Sequence, residues 1–477
     1  LVDDLGWQDT SVAFTPEPTL FQARYRTPHL EKLAAQGLRF SNAYASGSVC
    51  TPTRSALLTG KNPARTRITD WTLHVDRDFS RAMPPLADPA WTKTGVQPHA
   101  DLLPEILREQ GYQTLFVGKA HFGALGTPGA DPLLLGFDQN VAGHAAGAPA
   151  SYYAKDNFGN DREGPWGVPG LEAYHGRDLF LTEALTLEAE KLVEEAVSND
   201  RPFFLDFAHY AVHTPIMADP RFVKHYLDAG LDAKEAAYAS MIEGYDHSLG
   251  RILRKLEDLG VAQDTLIVFT SDNGGLSAHG RGSTPSGSGK DTHNAPLRSG
   301  KGSGYEGGIR VPLVVAWANA EGAARNGQLP IRQGELDATP MITTDLFVTF
   351  ARLAGTKAER VYRTRPEGKD LRWLWTGDKP LRARTLAWNY PHKWGPNGDR
   401  YEPFVAMRDG DWKILHWYLD DSWELYHLGE DLSERENRMT SEPEVAARMQ
   451  EQLRAWMQEV DAQRPVEKDS GRPLPIP

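Results

Sequence analysis

Short apolar runs alternating with amphipathic helical stretches constrain this chain most. Residues 114–117, 202–207, 265–270 and 311–316 are rich in β-branched and aromatic side chains and are bounded by polar, glycine or turn residues, the pattern of buried strands. Between them lie helical patterns: Thr27-Pro28 opens a helix through Leu30, Leu33 and Ala34, and others cover residues 103–110, 181–197 and 236–259. Such alternation predicts an α/β fold, a large mixed, mostly parallel sheet sandwiched by helices. Ligands of such sheets sit at the carboxyl ends of the strands, where this sequence places Asp3-Asp4, Lys119 with His121, His209 with His213, and Asp272-Asn273.

With 477 residues, the chain is long enough for one large unit and a smaller one. The character changes near residue 375: residues 404–407, 412–417 and 423–428 read as an antiparallel meander with a turn at Asp409-Gly410. A helix over 442–460 follows, with Val445, Met449, Leu453, Trp456 and Met457 on one face. The expectation is a catalytic domain over 1–375 and a smaller α+β domain over 376–477. The Gly/Ser-rich stretch 280–289 reads as a mobile loop and the tail after Gln463 as unstructured.

Cys50 is the one cysteine, so neither an intrachain disulfide nor a cysteine-built zinc or iron-sulfur cluster can form; it serves packing or chemistry. No run approaches the roughly 18 to 20 apolar residues of a membrane span. The charge balance, 52 basic against 64 acidic side chains for a net −12, argues against a nucleic-acid partner. The opening Leu1-Val2-Asp3-Asp4 reads as the end of a buried strand whose start has been trimmed, which would leave any signal peptide out of view.

Ser48-Val49-Cys50-Thr51-Pro52-Thr53-Arg54 through Thr59-Gly60 resembles the signature of the type I sulfatases, of the alkaline phosphatase-like superfamily: Cys-x-Pro-Ser/Thr-Arg followed by Thr-Gly. Alone, the segment would equally suit a buried cysteine at the head of a Ser/Ala/Leu helix. Two further segments resemble the same family: Asp3-Asp4-Leu5-Gly6 its opening Asp-Asp-x-Gly, and Ser271-Asp272-Asn273-Gly274 its second metal segment. Either alone would suit a turn; the three in family order make coincidence improbable. Gly118-Lys119-Ala120-His121-Phe122-Gly123 is similar to Gly-Lys-Trp-His-x-Gly with Ala120 in the tryptophan's place, His213-Thr214-Pro215 to His-x-Pro, and Gly300-Lys301-Gly302 to the lysine segment before the last large strand.

The resemblance implies that a maturation enzyme oxidises Cys50 to formylglycine, whose hydrate is the nucleophile. It implies a metal site of Asp3, Asp4, Asp272, Asn273 and the modified Cys50, an all-oxygen set suited to Ca²⁺ or Mg²⁺. Arg54, Lys119 and Lys301 would attract an anionic ester to an acidic protein and stabilise charge growing on the sulfuryl oxygens. His213, assisted by Lys301, would protonate the leaving alcohol, and His121 would help deprotonate the second hydroxyl so that sulfate leaves and the aldehyde returns. His209, four residues before His213, is left out of the catalytic set, as a residue that packs or binds backbone.

Trp71, Trp91, Trp166, His144 and the run from Trp388 to Trp394 suit stacking on a sugar ring or simple loop packing. The context of 118–130 resembles the polysaccharide-desulfating bacterial branch. The implied substrate is therefore an O-sulfated carbohydrate of galactose or N-acetylgalactosamine type, and the implied location periplasmic or secreted. Two alternatives stay open: a phosphate or phosphonate monoester hydrolase with the same nucleophile, and a non-catalytic sulfated-glycan binding protein in which Cys50 is never converted.

Overall fold

The computed structural model describes residues 1–19, 21–76, 83–281, 292–395 and 398–477. Strand Gln113–Gly118 lies between Gln139–Val141 and Phe203–Ala208, parallel to both. A second sheet orders Leu266–Thr270, Leu313–Trp317, Leu38–Phe40 and Glu335–Asp337. The opening residues join the two: the Leu1 amino group donates to Phe207 O, His209 N to Leu1 O and Val2 N to Thr270 O. The expected strand runs are present within a residue or two of their anticipated ends.

One strand departs from the parallel pattern. Leu313–Trp317 runs antiparallel to both neighbours, so it starts at the sheet edge where Leu266–Thr270 ends. The connection between them, which carries Asp272, Asn273 and Lys301, therefore leaves and re-enters the sheet at the carboxyl edge already holding Asp3, Asp4 and Lys119. A parallel crossover would instead have returned the chain to the opposite edge.

The covering helices follow from their apolar faces. Leu181–Ser198 buries Leu181, Leu185, Ala189, Leu192, Val193 and Ala196, at a spacing of about one turn. Ala233–Asp258 is capped by Asp232, whose carboxylate accepts from Lys234 N and Glu235 N, a contact worth about 1 kcal/mol. Asp246 on that helix caps its neighbour Pro28–Ala35 by accepting from His29 N and Leu30 N.

The second sheet region is a four-stranded antiparallel meander, Thr385–Tyr390, Phe404–Asp409, Trp412–Trp417 and Ser422–His427. Its alternate residues face two ways. Val405, Met407, Ile414 and Leu425 pack under Ala446, Met449, Leu453 and Met457 of helix Pro443–Glu459. Trp388, Phe404, Leu415 and Trp417 pack against Tyr44, Val49, Tyr305 and Ile309 of the larger unit. Trp456 and Val445, expected on the buried face, are only half-buried at its margin.

The tail after Gln463 is ordered, contrary to expectation. Val466–Glu467 pairs with Leu86–Ala87, and Leu474 with Ile476 covers the apolar cluster beneath the last helix. Of the 280–289 stretch, Gly280 and Arg281 end the short helix Ala278–Arg281, and the rest lies outside the described residues. No helix among the described residues is long and apolar enough to cross a membrane.

Candidate active site around Cys50

Cys50 opens helix Cys50–Thr59, with Val49 extended before it. Pro52 sits in the first turn, where its missing N–H costs nothing, and Arg54, four residues on, shares the face of Cys50. The helix N-terminus directs positive potential at this point. Cys50 is 2% exposed, so it is indeed a buried helix-opening cysteine, but its surroundings are charged.

Four loops deliver those charges. Asp3 and Asp4 end the joining strand, and Ser271 Oγ accepts from Leu5 N (3.0 Å) and donates to Asn273 O (2.9 Å), tying this loop to the one after Leu266–Thr270. Lys119 follows Gly118, whose φ of +104° and 1.9 Å clearance between a built Cβ and Ala208 O exclude any other residue. Lys301 is set by its own N–H on Gly275 O and by Gly302 N on Ser48 O, next to Cys50. Asp4 and His121 both hold left-handed backbone, at +58° and +53°, a strain of order 1–3 kcal/mol each that clusters at functional sites.

The ion pairs are close. Lys119 Nζ lies 2.6 Å from Asp3 Oδ2, Lys301 Nζ 2.6 Å from Asp4 Oδ1, and Arg54 Nε 2.7 Å from Asp272 Oδ2. Lys301 Nζ also donates to Cys50 Sγ at 3.2 Å, and Sγ is 3.6 Å from Asp3 Oδ1. Carboxylate oxygens of Asp3, Asp4 and Asp272 and the Cys50 sulfur all fall within 4.8 Å of one another. Asn273 Nδ2 donates to Asp4 Oδ1 (2.8 Å), while Asn273 Oδ1 and Asp4 Oδ2 are buried acceptors lacking a hydrogen-bond donor. Orphaned hard oxygens beside three carboxylates fit a divalent cation of the Ca²⁺ or Mg²⁺ type. Three acids are paired with three bases here, so such a cation would make the site net positive, suited to an anionic ester.

Burial pushes the Cys50 thiol up to about 12, against the pull of Lys119 and Lys301, so the unmodified side chain is a thiol and a poor nucleophile. Burial also pushes Asp3 well above the usual carboxylate range, although Lys119 opposes it. For Asp4 the same desolvation is outweighed by Lys301, His213 and Lys119, which hold it well below that range. Asp272 is likewise held down, to about 2, by Arg54 and Lys119 against its burial.

Both histidines are neutral at pH 7. Burial, then Lys301, lowers His213 to about 3; its Nδ1 lies 2.7 Å from Thr214 O, which requires the proton on Nδ1 and leaves the Nε2 lone pair 3.6 Å from Asp4 Oδ2. Burial, then Lys119, lowers His121 well below the usual imidazole range; Nε2 donates to Thr72 O (2.9 Å), and the bare Nδ1 is buried without a partner. Lys301, by contrast, is held protonated by Asp4 despite its burial. At neutral pH the site's proton is thus stored on Lys301, and the imidazoles are acceptors.

Cys50 lines a cavity of about 440 Å³ together with His121, His213 and Lys301 and with Trp71, Trp166 and Trp394. Of the other aromatic candidates, Trp91 packs on His392, and Trp388 is buried with its indole N–H on Ala45 O. His144 enters only through its carbonyl, which accepts from His121 N. His209 packs against Phe207 with tilted rings whose centroids are 4.2 Å apart, and does not line the cavity. Ala120 is fully buried among Leu58, Ile68, Phe116 and Phe122, which fill the space a larger side chain would take. Residue patterns did not single out Thr72, which acts through its backbone, and they named Ser271 only as the first residue of the Asp272 segment, without the loop-tying role it has.

The family profile described as Sulfatase matches residues 1–356. A sulfatase of Formosa agariphila is 28% identical over 516 residues, spanning 96% of this chain and 87% of its own length. The N-acetylgalactosamine-6-sulfatase of Mus musculus is 29% identical over 449 residues, spanning 92% and 75%. Among solved structures, Ps i-CgsB in complex with k-i-k-neocarrahexaose matches with a TM-score of 0.73 at 26% identity, covering 99% of this chain and 94% of that one. The chain belongs to the sulfatase family, with the alkaline phosphatase-like fold, and is a sulfuric ester hydrolase.

Proposed function

We propose that this sulfatase removes O-sulfate groups from carbohydrates of galactose or N-acetylgalactosamine type, acting through Cys50 after its oxidation to formylglycine by a maturation enzyme. The observation that carries this reading is the convergence of Arg54, Lys119, Lys301, His121 and His213 on Cys50 at the floor of a ring-sized aromatic cavity. The N-acetylgalactosamine-6-sulfatase relatives and the oligosaccharide bound by Ps i-CgsB support the sugar.

Cys50 Sγ stands where the formylglycine oxygens would be; hydrated, that aldehyde supplies one hydroxyl to attack sulfur and a second through which the aldehyde is regenerated. Asp3, Asp4, Asp272 and Asn273 would hold a Ca²⁺ or Mg²⁺, which supplies positive charge for the nucleophile and the sulfuryl oxygens. Arg54, pinned on Asp272, orients Asp3 and adds charge beneath the nucleophile. Lys119 and Lys301 clamp the sulfuryl oxygens as charge grows there. His213 faces the leaving oxygen with Nε2 and passes it the proton stored on the Lys301 ammonium. His121 receives the proton of the second hydroxyl at its bare Nδ1.

A catalytic unit over 1–375, a smaller one over 376–477, and a periplasmic or secreted location belong to the same reading. The test is turnover of paired sulfate and phosphate monoesters of one alcohol by protein made with a maturation enzyme, beside Cys50→Ala. Sulfate preferred, and lost in Cys50→Ala, supports the proposal; preference for the phosphate identifies a monoester phosphatase or phosphonatase. Sugar binding without turnover in fully matured protein identifies a glycan-binding protein.

A further inference from the structure

The walls of the cavity narrow the leaving group further. Beyond Cys50, His121, His213 and Lys301, its described lining is Trp71, Trp166, Trp394, Pro149, Pro215 and Leu276, with small residues and one hydroxyl, Thr214. No carboxylate and no arginine lines it among the described residues. The three indoles come from distant segments, and each is half-buried at the cavity.

Their placement is built. Trp71 N and the Tyr390 hydroxyl both donate to Asp70 Oδ1, at 2.9 and 3.0 Å, fixing the backbone that carries Trp71. Trp71 and Trp166 pack on the same small cluster of Leu73, Ala145 and Ala146. Trp394 stands edge-on to Trp71, with ring centroids 6.4 Å apart at 83°, and lies 5.2 Å from the Lys301 ammonium. It comes this close because residue 302 is glycine: a Cβ there would lie 2.1 Å from Trp394 Cδ1.

We propose that Trp71, Trp166 and Trp394 form a specificity clamp for one otherwise uncharged ring bearing a single sulfate. This deepens, and rests on, the carbohydrate reading. Indole faces reward the flat C–H surface of a ring. A second sulfate or a carboxylate on that ring would be desolvated against tryptophan and proline with no further cation among the described lining residues to meet it. Lys301 is not spare for the purpose, since it is held 2.6 Å from Asp4 and assigned to the reacting sulfate. An aryl ring shares this chemistry, so the test separates the two sources.

The Cys50→Ala chain, or equally the unconverted thiol form, binds without turnover and is titrated calorimetrically with galactose 6-sulfate, galactose 2,6-disulfate, 4-nitrophenyl sulfate and inorganic sulfate. The expected result is galactose 6-sulfate at least about tenfold tighter than the disulfate. Trp394→Ala, Trp71→Ala and Gly302→Ala on this background should weaken the monosulfated sugar roughly tenfold and inorganic sulfate far less, with Trp394→Phe retaining most of the affinity. Equal affinity for the disulfate, or sugar affinity unchanged in folded Trp71→Ala and Trp394→Ala chains, overturns the clamp. Binding of the aryl sulfate alone, still dependent on the tryptophans, upholds the clamp and overturns the carbohydrate reading instead.

Discussion

Replacing Lys301 by alanine removes a buried ammonium held 2.6 Å from Asp4 Oδ1 and 3.2 Å from Cys50 Sγ. In catalysis, one preorganised donor aimed at a developing oxyanion is worth about 10²–10³ in kcat, about 2.7–4 kcal/mol. Lys301 is also the proposed proton store for the leaving oxygen, so kcat should fall at least about a hundredfold, with KM changed far less. In stability, the Asp4 carboxylate would keep the Asn273 Nδ2 donor at 2.8 Å while facing the bare His213 Nε2 at 3.6 Å, and breaking one side of a buried pair costs about 3–5 kcal/mol. That loss should appear in chelator-treated protein and shrink when Ca²⁺ is added, because a cation takes over the charge of Asp4. The variant also tests the electrostatics of His213, which Lys301 lowers second only to burial. Its pKa must rise in Lys301→Ala, so any pH limb carried by His213 moves to higher pH. Steady-state kinetics across pH on matured protein, with circular dichroism to verify folding, reads all three. A folded variant with kcat within tenfold of the parent would refute the reasoning.

Asp272→Asn removes an ionised ligand and the 2.7 Å partner of Arg54; calorimetry should show Ca²⁺ or Mg²⁺ binding weakened roughly tenfold or more, and unchanged affinity would remove Asp272 from the metal set. Lys413, buried 2.8 Å from both Glu306 and Glu434, joins the C-terminal sheet to the Lys301 segment; Lys413→Met should cost about 3–5 kcal/mol in thermal or denaturant unfolding, and a loss below 1 kcal/mol would contradict this. Burial pushes Glu434 up to about 7 from its ordinary 4.5, against the pull of Lys413. The folded chain therefore keeps a proton that the unfolded chain releases, so Glu434 contributes stability below pH 4.5 that is lost as pH rises through 7. Unfolding midpoints measured from pH 5 to 8 should fall with rising pH by an increment that Glu434→Gln removes; an identical slope in the variant would exclude Glu434 as its source.

The site was more legible in the sequence than the sheet around it. Asp3-Asp4, Lys119, His213 and Asp272-Asn273 follow strand ends, where an α/β sheet gathers ligands, and Cys50 with Arg54 lies one helical turn apart. The reversed direction of Leu313–Trp317 was not legible, because strand direction depends on pairing across the fold and leaves no local pattern. Strand Thr385–Tyr390 escaped notice because it is buried on both faces: Ala387 and Trp388 enter opposite clusters, which erases the polar alternation. The same burial turned Trp388 from a candidate sugar contact into core. The tail after Gln463, rich in proline and charge, is ordered by two strand residues and two apolar side chains that reach a distant cluster. Protonation of the histidines was invisible too, since it is set by burial and by lysines remote in sequence.

The most direct test of the account is mass spectrometry of the tryptic peptide spanning residues 40–54, from protein made with and without a competent maturation enzyme, with sulfate-ester turnover measured on the same samples. The account predicts an aldehyde or its hydrate in place of the Cys50 thiol, and turnover in proportion to the converted fraction. Full turnover by protein whose Cys50 is still a thiol would contradict it.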